Sequence, residues 1–194
     1  MKKISLVFIL LFTLILPAAA SADGNAWRFA LGYSFLNNAK EIKDAYKHLL
    51  RETRPGKDVY NASFGIRFQP YYQFENGLRA DLGAGPLLLM VGDVRHVQIP
   101  FNATIGYSFF ADSPISVYAR SGIAFHIASG DFYAGSSPGF YSGIGCIFFN
   151  SKPVHLGFET AWDASEITLD RAPGQTRHEK IKTGELTFFF YADF

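Results

Sequence analysis

The segment 186–194 constrains the fold of this chain most, because apolar side chains occupy every second position over a full strand length. One face of the segment carries Leu186, Phe188, Phe190, Ala192 and Phe194. The opposite face includes Glu185, Thr187 and Asp193. In water, such a flat apolar strand at the edge of a sheet recruits other chains. A closed barrel in a membrane removes the edge and places the apolar face in hydrocarbon, so the pattern predicts a membrane β-barrel.

Seven earlier segments show the same period of two, which is typical of a wall between lipid and a polar interior. The eight predicted strands span about residues 26–36, 59–74, 78–91, 96–110, 115–128, 139–149, 154–164 and 180–194. A water-soluble barrel would place its apolar face inside. Here bulky apolar groups share one face, whereas charges and glycines share the other. We therefore predict an all-β, eight-stranded antiparallel transmembrane up-and-down β-barrel.

The third predicted strand shows both the strength and the weakness of this pattern. It presents Leu78, Leu82 and Leu88 to lipid if the alternation continues without interruption. Proline cannot donate to a strand ladder, yet Pro86 lies inside this strand, as Pro70 and Pro100 lie inside its neighbours. We expect bulges or local breaks in pairing at these prolines.

The predicted connections alternate in length. The segments 75–77, 112–114 and 150–153 are tight turns, and 75–77 contains the Asn-Gly pair that favours hairpins. The segments 37–58, 92–95, 129–138 and 165–178 are mostly longer. Outer-membrane barrels have short periplasmic turns and longer extracellular loops, so with an even number of strands both termini of the barrel domain are expected on the periplasmic side.

The first 22 residues read as a secretory signal peptide. Lys2 and Lys3 precede an apolar run over 4–16, and small residues follow Pro17. The run is shorter than the roughly 20 residues that a membrane-spanning helix needs. We expect cleavage after Ala20 or Ala22 and a barrel domain over 23–194, exported through the periplasm.

Composition excludes several classes of function. Cleavage would remove Lys2 and Lys3 and leave 16 basic and 17 acidic residues, a net charge of −1 with His neutral. Nucleic-acid binding calls for a basic patch, so no nucleic acid is expected as a partner. The chain has one Cys, Cys146, and its histidines lack the paired spacing of zinc sites. We expect a monomer with no cofactor and no bound metal.

The inward face of the predicted barrel carries charges of both signs. Its members are Arg28, Arg67, Arg79, Asp81, Arg120, His155, Glu159, Asp163 and Glu185. An eight-stranded barrel is just wide enough for side chains to fill it, and buried charges are tolerable only when they are paired. The sequence therefore predicts a polar side-chain plug rather than an aqueous pore.

The first long loop contains a predicted amphipathic helix. Its apolar positions Ile42, Ala45, Tyr46, Leu49 and Leu50 follow helical spacing, after Asn37 or Asn38 as a cap. Lys40, Lys43, Lys47 and Arg51 occupy much of the remaining surface. Three placements remain open: a lid over the barrel mouth, a basic helix on the outer leaflet near lipopolysaccharide phosphates, or a clamp for a peptide or ligand.

Candidate catalytic residues lie near the extracellular rim, where a barrel enzyme acting on lipid needs a nucleophile and a base within hydrogen-bond reach. They are His126, Ser129, Asp131, Ser165 and Glu166. In size and hairpin layout, the chain resembles the lipid A 3-O-deacylase barrels, whose His-x-Ser-Asn motif lies towards the end of the seventh strand. The matching stretch reads Trp162-Asp163-Ala164-Ser165 and lacks both the His and the nucleophilic Ser.

The final Phe194, together with Phe190, resembles the carboxyl-terminal signal that the outer-membrane assembly machinery reads. The chain as a whole resembles small barrels of the OmpA, OmpX and OmpW type. This resemblance implies a Gram-negative outer-membrane location, with membrane lipids, lipopolysaccharide and the assembly machinery as partners. We expect a non-enzymatic barrel that has a structural role or binds a ligand or lipid through its extracellular loops. The alternatives are an outer-leaflet lipid A or phospholipid hydrolase or acyltransferase, and a narrow conduit for small apolar molecules.

Overall fold

A computed structural model describes residues 26–36, 39–110, 113–149, 154–170, 179–182 and 185–194. The predicted signal peptide, the caps Asn37 and Asn38, and the side chain of Glu185 lie outside this description. The helix α1 spans Ala39–Thr53. The strands are β1 (Ala26–Leu36), β2 (Val59–Phe64), β3 (Ile66–Gln73), β4 (Leu78–Ala84), β5 (Leu87–Gly92), β6 (His96–Phe109), β7 (Ile115–Gly130), β8 (Tyr133–Ser137), β9 (Gly139–Phe148), β10 (His155–Asp163), β11 (Glu166–Leu169), β12 (Glu179–Lys182) and β13 (Glu185–Asp193).

Within the described residues, eight of these strands close an antiparallel barrel. They pair in the order β1, β3, β4, β6, β7, β9, β10 and β13, and β13 returns to β1. Phe29 and Phe194 exchange two backbone hydrogen bonds of 3.1 and 3.0 Å at this closing seam. The predicted eight-stranded barrel is therefore confirmed.

The barrel wall alternates as the pattern of the last strand predicted. In β13, Phe190 and Phe194 are more than half exposed, whereas Phe189 is fully buried and Tyr191 nearly so. Bulky apolar groups form the outer surface and polar groups the inner one, which is the arrangement that hydrocarbon outside requires. No helix in the described part of the chain has the length and apolar character needed to cross a membrane.

At the end of the barrel that was predicted to be extracellular, here called the extracellular half, the molecule splits into two sheets. The strands β2 and β5 extend one sheet from β6, and β8, β11 and β12 form the other. Segments 129–138 and 165–178 were predicted as loops, and this was wrong for the residues that form β8 and β11. Each of these strands is only four or five residues long, which is too short for a period of two to stand out.

A bulge corrects the predicted orientation of Leu88. The register of β6 against β5 is shifted by one residue from its register against β4, which marks a bulge at Gly85 and Pro86. Gly85 has φ +100° and donates its N–H to the carbonyl of Pro100 at 2.9 Å. Beyond the bulge the inward parity reverses, so Leu88 is fully buried rather than lipid-facing. The pairing of β3 with β4 is likewise interrupted beside Pro70.

The predicted helix is confirmed as α1, and its apolar side is buried in the extracellular half. Ile42, Tyr46, Leu49 and Leu50 have no exposed surface. They pack against inward side chains of both sheets: Val59, Leu88, Met90, Val94, Ile167, Leu169 and Ile181. A helix lying flat on the outer leaflet would keep its apolar side in lipid. The structure instead places α1 between the two sheets as a plug.

Candidate functional site

The polar centre of the barrel is organised around Glu159. This carboxylate is fully buried and accepts hydrogen bonds from Arg120 Nε at 2.7 Å and Nη2 at 2.6 Å. The hydroxyls of Tyr118 and Tyr141 donate to it at 2.8 and 2.9 Å. Arg67 Nη2 lies 3.6 Å away as a second cation. The carboxylate thus compensates two guanidinium groups in a space closed to solvent.

A second ion pair lies beside this centre. Arg79 donates to Asp81 through Nε at 3.1 Å and through Nη2. Its guanidinium is held between the rings of Tyr71 and Tyr118, each with its centroid at 4.1 Å. Stacking of this kind fixes a planar cation by its faces as well as its edges. Arg120 Nη1 lies 4.0 Å from Asp81, so the two ion pairs form one network.

A third group of polar residues lies near the end of the barrel that was predicted to be periplasmic. The fully buried Asp193 accepts a hydrogen bond of 2.7 Å from Tyr71. His155 Nδ1 lies 3.2 Å from the same carboxylate, and Arg28 Nη1 lies 3.7 Å from it. Arg28 keeps 28% of its side-chain surface exposed. The group therefore connects the buried network to the barrel opening.

Above the network, a chain of hydrogen bonds links the helix to the opposite wall. Tyr46 contacts His96 Nδ1 at 2.7 Å, and His96 Nε2 lies 3.1 Å from Gln98 Oε1. Gln98 Nε2 then contacts His126 Nδ1, and His126 Nε2 lies 3.1 Å from Asp163. With both imidazoles neutral, His96 can donate to Gln98, Gln98 to His126, and His126 to Asp163. The single O–H of Tyr46 is shared between His96 Nδ1 and the backbone carbonyl of Asp131, which lies 2.9 Å from the hydroxyl oxygen.

The Asp163 end of this hydrogen-bond chain bears on the enzyme hypothesis. Ser165 donates its hydroxyl to Asp163 at 2.6 Å, and His126 contacts the other oxygen of the same carboxylate. In nucleophilic catalysis the base lies between the nucleophile and the carboxylate. Here the carboxylate lies between Ser165 and His126. The Ser165 side chain is also fully buried, which denies a lipid substrate access to it.

The other rim candidates are not assembled into this cluster. Ser129 and Asp131 are exposed, and Asp131 accepts a hydrogen bond of 2.8 Å from the backbone of Arg95. Glu166 is half-buried on β11. The described residues contain no group of three or more His, Cys, Asp or Glu side chains suited to a metal ion.

Several residues that complete the inner network did not stand out in the sequence. They are Tyr71, Tyr141, His96 and Tyr46, all buried. Tyr71 and Tyr141 share the inward parity of the charged residues on their strands, so the period of two contained a signal for them. Tyr46 belongs to the apolar side of α1, where helical spacing indicates burial but no polar partner.

The extracellular loops carry their own ion pairs. Lys57 Nζ lies 2.9 Å from Asp93, whose carboxylate also accepts the backbone N–H of Asp58 at 3.0 Å. The bond from Lys57 and then that from Asp58 hold the pKa of Asp93 below its ordinary value.

Burial, and after it the charge of Asp131, raises the pKa of the Tyr46 hydroxyl, so this group remains a neutral donor.

Similar solved structures are small barrels of the bacterial outer membrane. The chain aligns with outer membrane protein OprG from Pseudomonas aeruginosa with a TM-score of 0.54 and 8% identity, over 88% of this chain and 95% of that one. It aligns with E. coli outer membrane protein W with a TM-score of 0.50 and 12% identity, over 90% and 99%. The chain has the fold of a small outer-membrane β-barrel.

A further similar structure with this fold is Neisserial surface protein A, with a TM-score of 0.41 and 13% identity, over 90% of this chain and 96% of that one. No protein-family model matches the chain, and no curated protein sequence matches it. In this outer-membrane barrel fold, the lumen is occupied at two levels, by the charged network below and by α1 above.

Proposed function

We propose that this protein is a non-conducting, non-enzymatic outer-membrane barrel that works through its extracellular part, where it binds a ligand or lipid or stabilises the envelope. The observation that carries the proposal is the double occupation of the lumen. Arg120 and Glu159 bridge the barrel centre with no exposed side-chain surface, and α1 fills the extracellular half with an apolar cluster. An ion entering from either side meets a closed layer.

Burial and mutual pairing make these layers static rather than gate-like. Moving Arg120 out of the path breaks its hydrogen bonds to five neighbouring side chains, and a buried charge separated from its partner costs about 3–5 kcal/mol. A barrel of this kind offers its surroundings an outer surface and an extracellular extension rather than a pore.

Planar-bilayer recording of the purified protein tests the proposal. The expected result is no step-like current from the wild-type protein. The variant Arg120→Ala combined with Glu159→Ala removes both bridging side chains and is expected to leak small ions. Steady wild-type conductance would contradict the proposal. Mass spectrometry of lipid A from cells with and without the protein tests the enzyme alternative, and a changed profile would support it.

One observation favours the apolar conduit as a second candidate. The described part of β2 pairs on one side only, with β5, and the space behind it is lined by the apolar cluster around α1. An apolar solute would meet compatible surface there, although the charged network lies below it. Uptake of an apolar fluorescent dye by cells tests this candidate. An increase on expression supports it, and uptake equal to that of cells without the protein contradicts it.

A further inference from the structure

The outer surface of the extracellular extension is apolar on one side and polar on the other. On the sheet of β2, β5, β6 and the end of β7, most outward side chains are apolar: Tyr60, Leu89, Val91, Val97 and Ile127, here called the apolar flank. The small hydroxyl of Ser129, paired with Val97, is exposed among them. Tyr60 and Val91 face each other across β2 and β5, and they are 62% and 52% exposed.

The opposite sheet has outward side chains of different chemistry. They are Glu166, Thr168 and Lys180, here called the polar flank. Their inward neighbours Ile167, Leu169 and Ile181 pack against α1, as Val59 and Met90 do on the first sheet. The inward side chains of both sheets are therefore apolar and pack on α1, and the two sheets differ in the chemistry of their outward side chains.

The two flanks lie at the same height on the barrel. An apolar band about 25 Å tall is crossed by roughly ten residues of a strand tilted by about 40°. Counting ten residues up from the periplasmic end of β3 reaches Phe64, and Tyr60 lies four residues further. Counting ten residues up from the start of β10 reaches Ala164, and Thr168 lies four residues further. In an upright barrel both would stand about 10 Å above the hydrocarbon.

The apolar flank is continuous with the lipid-facing wall beneath it. Ile127 and Ile99 are paired between β7 and β6, directly above the stacked rings of Phe101 and Phe125. Along this side of β6 the outward side chains stay apolar up to Val97, whose partner on β7 is the small polar Ser129, and the first charged side chain is Arg95. On the other side, Trp162 on the barrel wall is followed four residues later by Glu166, the first side chain of the polar flank. The boundary between hydrocarbon and water therefore runs obliquely around the molecule.

We propose that the apolar flank is immersed in the acyl chains of the outer leaflet, with the barrel tilted towards it, while the polar flank stays in water. An eight-stranded barrel is roughly 16 Å wide, so a tilt of about 30° lowers one wall by about 8 Å relative to the other. Local thickening of the bilayer supplies the rest of the roughly 10 Å by which Tyr60 would stand above the hydrocarbon in an upright barrel. This tilt brings Tyr60 and Val91 into hydrocarbon and leaves Thr168 above it. The proposal rests on the outer-membrane location put forward above.

Site-directed fluorescence in vesicles tests this proposal. Cys146 is the single Cys of the chain, so Cys146→Ser provides a background for Tyr60→Cys, Val91→Cys and Lys180→Cys. Each is labelled with bimane and reconstituted in phosphatidylcholine vesicles with or without acyl-chain bromine. All three positions face outward from the sheet, so labelling leaves the apolar cluster intact.

The expected result is that brominated lipid quenches bimane several-fold more at positions 60 and 91 than at position 180, and that aqueous iodide shows the reverse order. Equal iodide quenching at all three positions would overturn the proposal. So would self-quenching at position 60 that rises with the protein-to-lipid ratio, since it indicates a second copy on the flank. Ile105→Cys, from the middle of the lipid-facing wall and 70% exposed, separates the two levels. If lipid quenches it but not position 60, only the tilt fails, and if lipid does not quench it, the membrane location fails.

Discussion

Glu159→Gln is the most informative single substitution in this barrel. The amide keeps the shape of the carboxylate but removes its charge. Arg120 and Arg67 have no more than 3% of their side-chain surface exposed, so water cannot replace the lost compensation. Among the carboxylates that the structure describes at the barrel centre, Asp81 is the one that remains, and it is already paired with Arg79.

The cost follows from the charges that are left behind. Breaking a buried ion pair by removing one partner costs about 3–5 kcal/mol, because it leaves an uncompensated buried charge. The amide still accepts hydrogen bonds, so we expect a loss at the lower end of this range, about 3 kcal/mol in the free energy of unfolding. Glu41→Gln, on the exposed side of α1, is the matched control and should stay within about 0.5 kcal/mol.

Urea titration in lipid vesicles measures this difference, with Trp fluorescence and heat-modifiable migration on gels as two probes of the folded barrel. Adding Arg120→Gln to Glu159→Gln removes one of the stranded cations. The double variant should therefore lose less than the sum of the two single losses. A loss under about 1 kcal/mol for Glu159→Gln, or strict additivity in the double variant, would refute the view that the carboxylate compensates buried cations.

Three further outcomes are expected. Leu49→Ala, at a fully buried position of α1, should lower the free energy of unfolding by about 2–5 kcal/mol in urea titration, because it opens a cavity in the plug. Gly157→Ala places a Cβ 2.0 Å from the ring of Tyr191, and we expect a loss of about 1–3 kcal/mol through overpacking, seen as a lower melting temperature on heat-modifiable gels. The pKa of Asp93 is lowered, so its ionised carboxylate stabilises the loop contact above the ordinary carboxyl pKa of 3.8. This stabilisation is lost as the pH falls through the lowered value. In this pH range, backbone hydrogen exchange of residues 54–58 should accelerate in the wild-type protein more than in Asp93→Asn.

Each of these outcomes has a control that separates it from a general effect. His48→Ala changes an exposed position on the same helix and should leave stability unchanged, and an equal loss would contradict the assignment of α1 as a plug. Gly135→Ala meets nothing within 4 Å, so a loss like that of Gly157→Ala would point to strand entropy instead of a clash. Exchange in 54–58 that follows the same pH curve in wild type and Asp93→Asn would remove Asp93 from the explanation.

The barrel was predictable from sequence because its solvent imposes a period of two on every strand. Strand β13 shows this most clearly, since each side chain that the pattern turns outward lies outside. The pattern failed at Leu88 because the bulge at Gly85 and Pro86 inserts one extra residue and reverses the faces of all residues that follow in the strand. The alternation of apolar residues alone does not show where such an insertion lies. The pattern failed again at β8 and β11, because strands of five and four residues are too short for a period of two to stand out.

The inner network was only partly predictable, for a different reason. The parity of Arg120 and Glu159 places both inside, but it does not say which charges meet across the lumen. That depends on the stagger of strands around the barrel. Tyr46 shows the limit most clearly, because its partner His96 lies 50 positions away on another element, and no local pattern connects them.

The seam between Phe29 and Phe194 has a kinetic consequence. A sheet that curls into a ring gains its last row of hydrogen bonds only when the two ends of the ribbon meet. Until that moment both margins are unsatisfied, and bringing together positions so distant in sequence is slow because of the loop entropy involved. The unpaired edges of the first and last strands must therefore be protected from pairing with other chains until the barrel closes. Completion should be abrupt, with the first and last strands gaining protection together rather than in chain order.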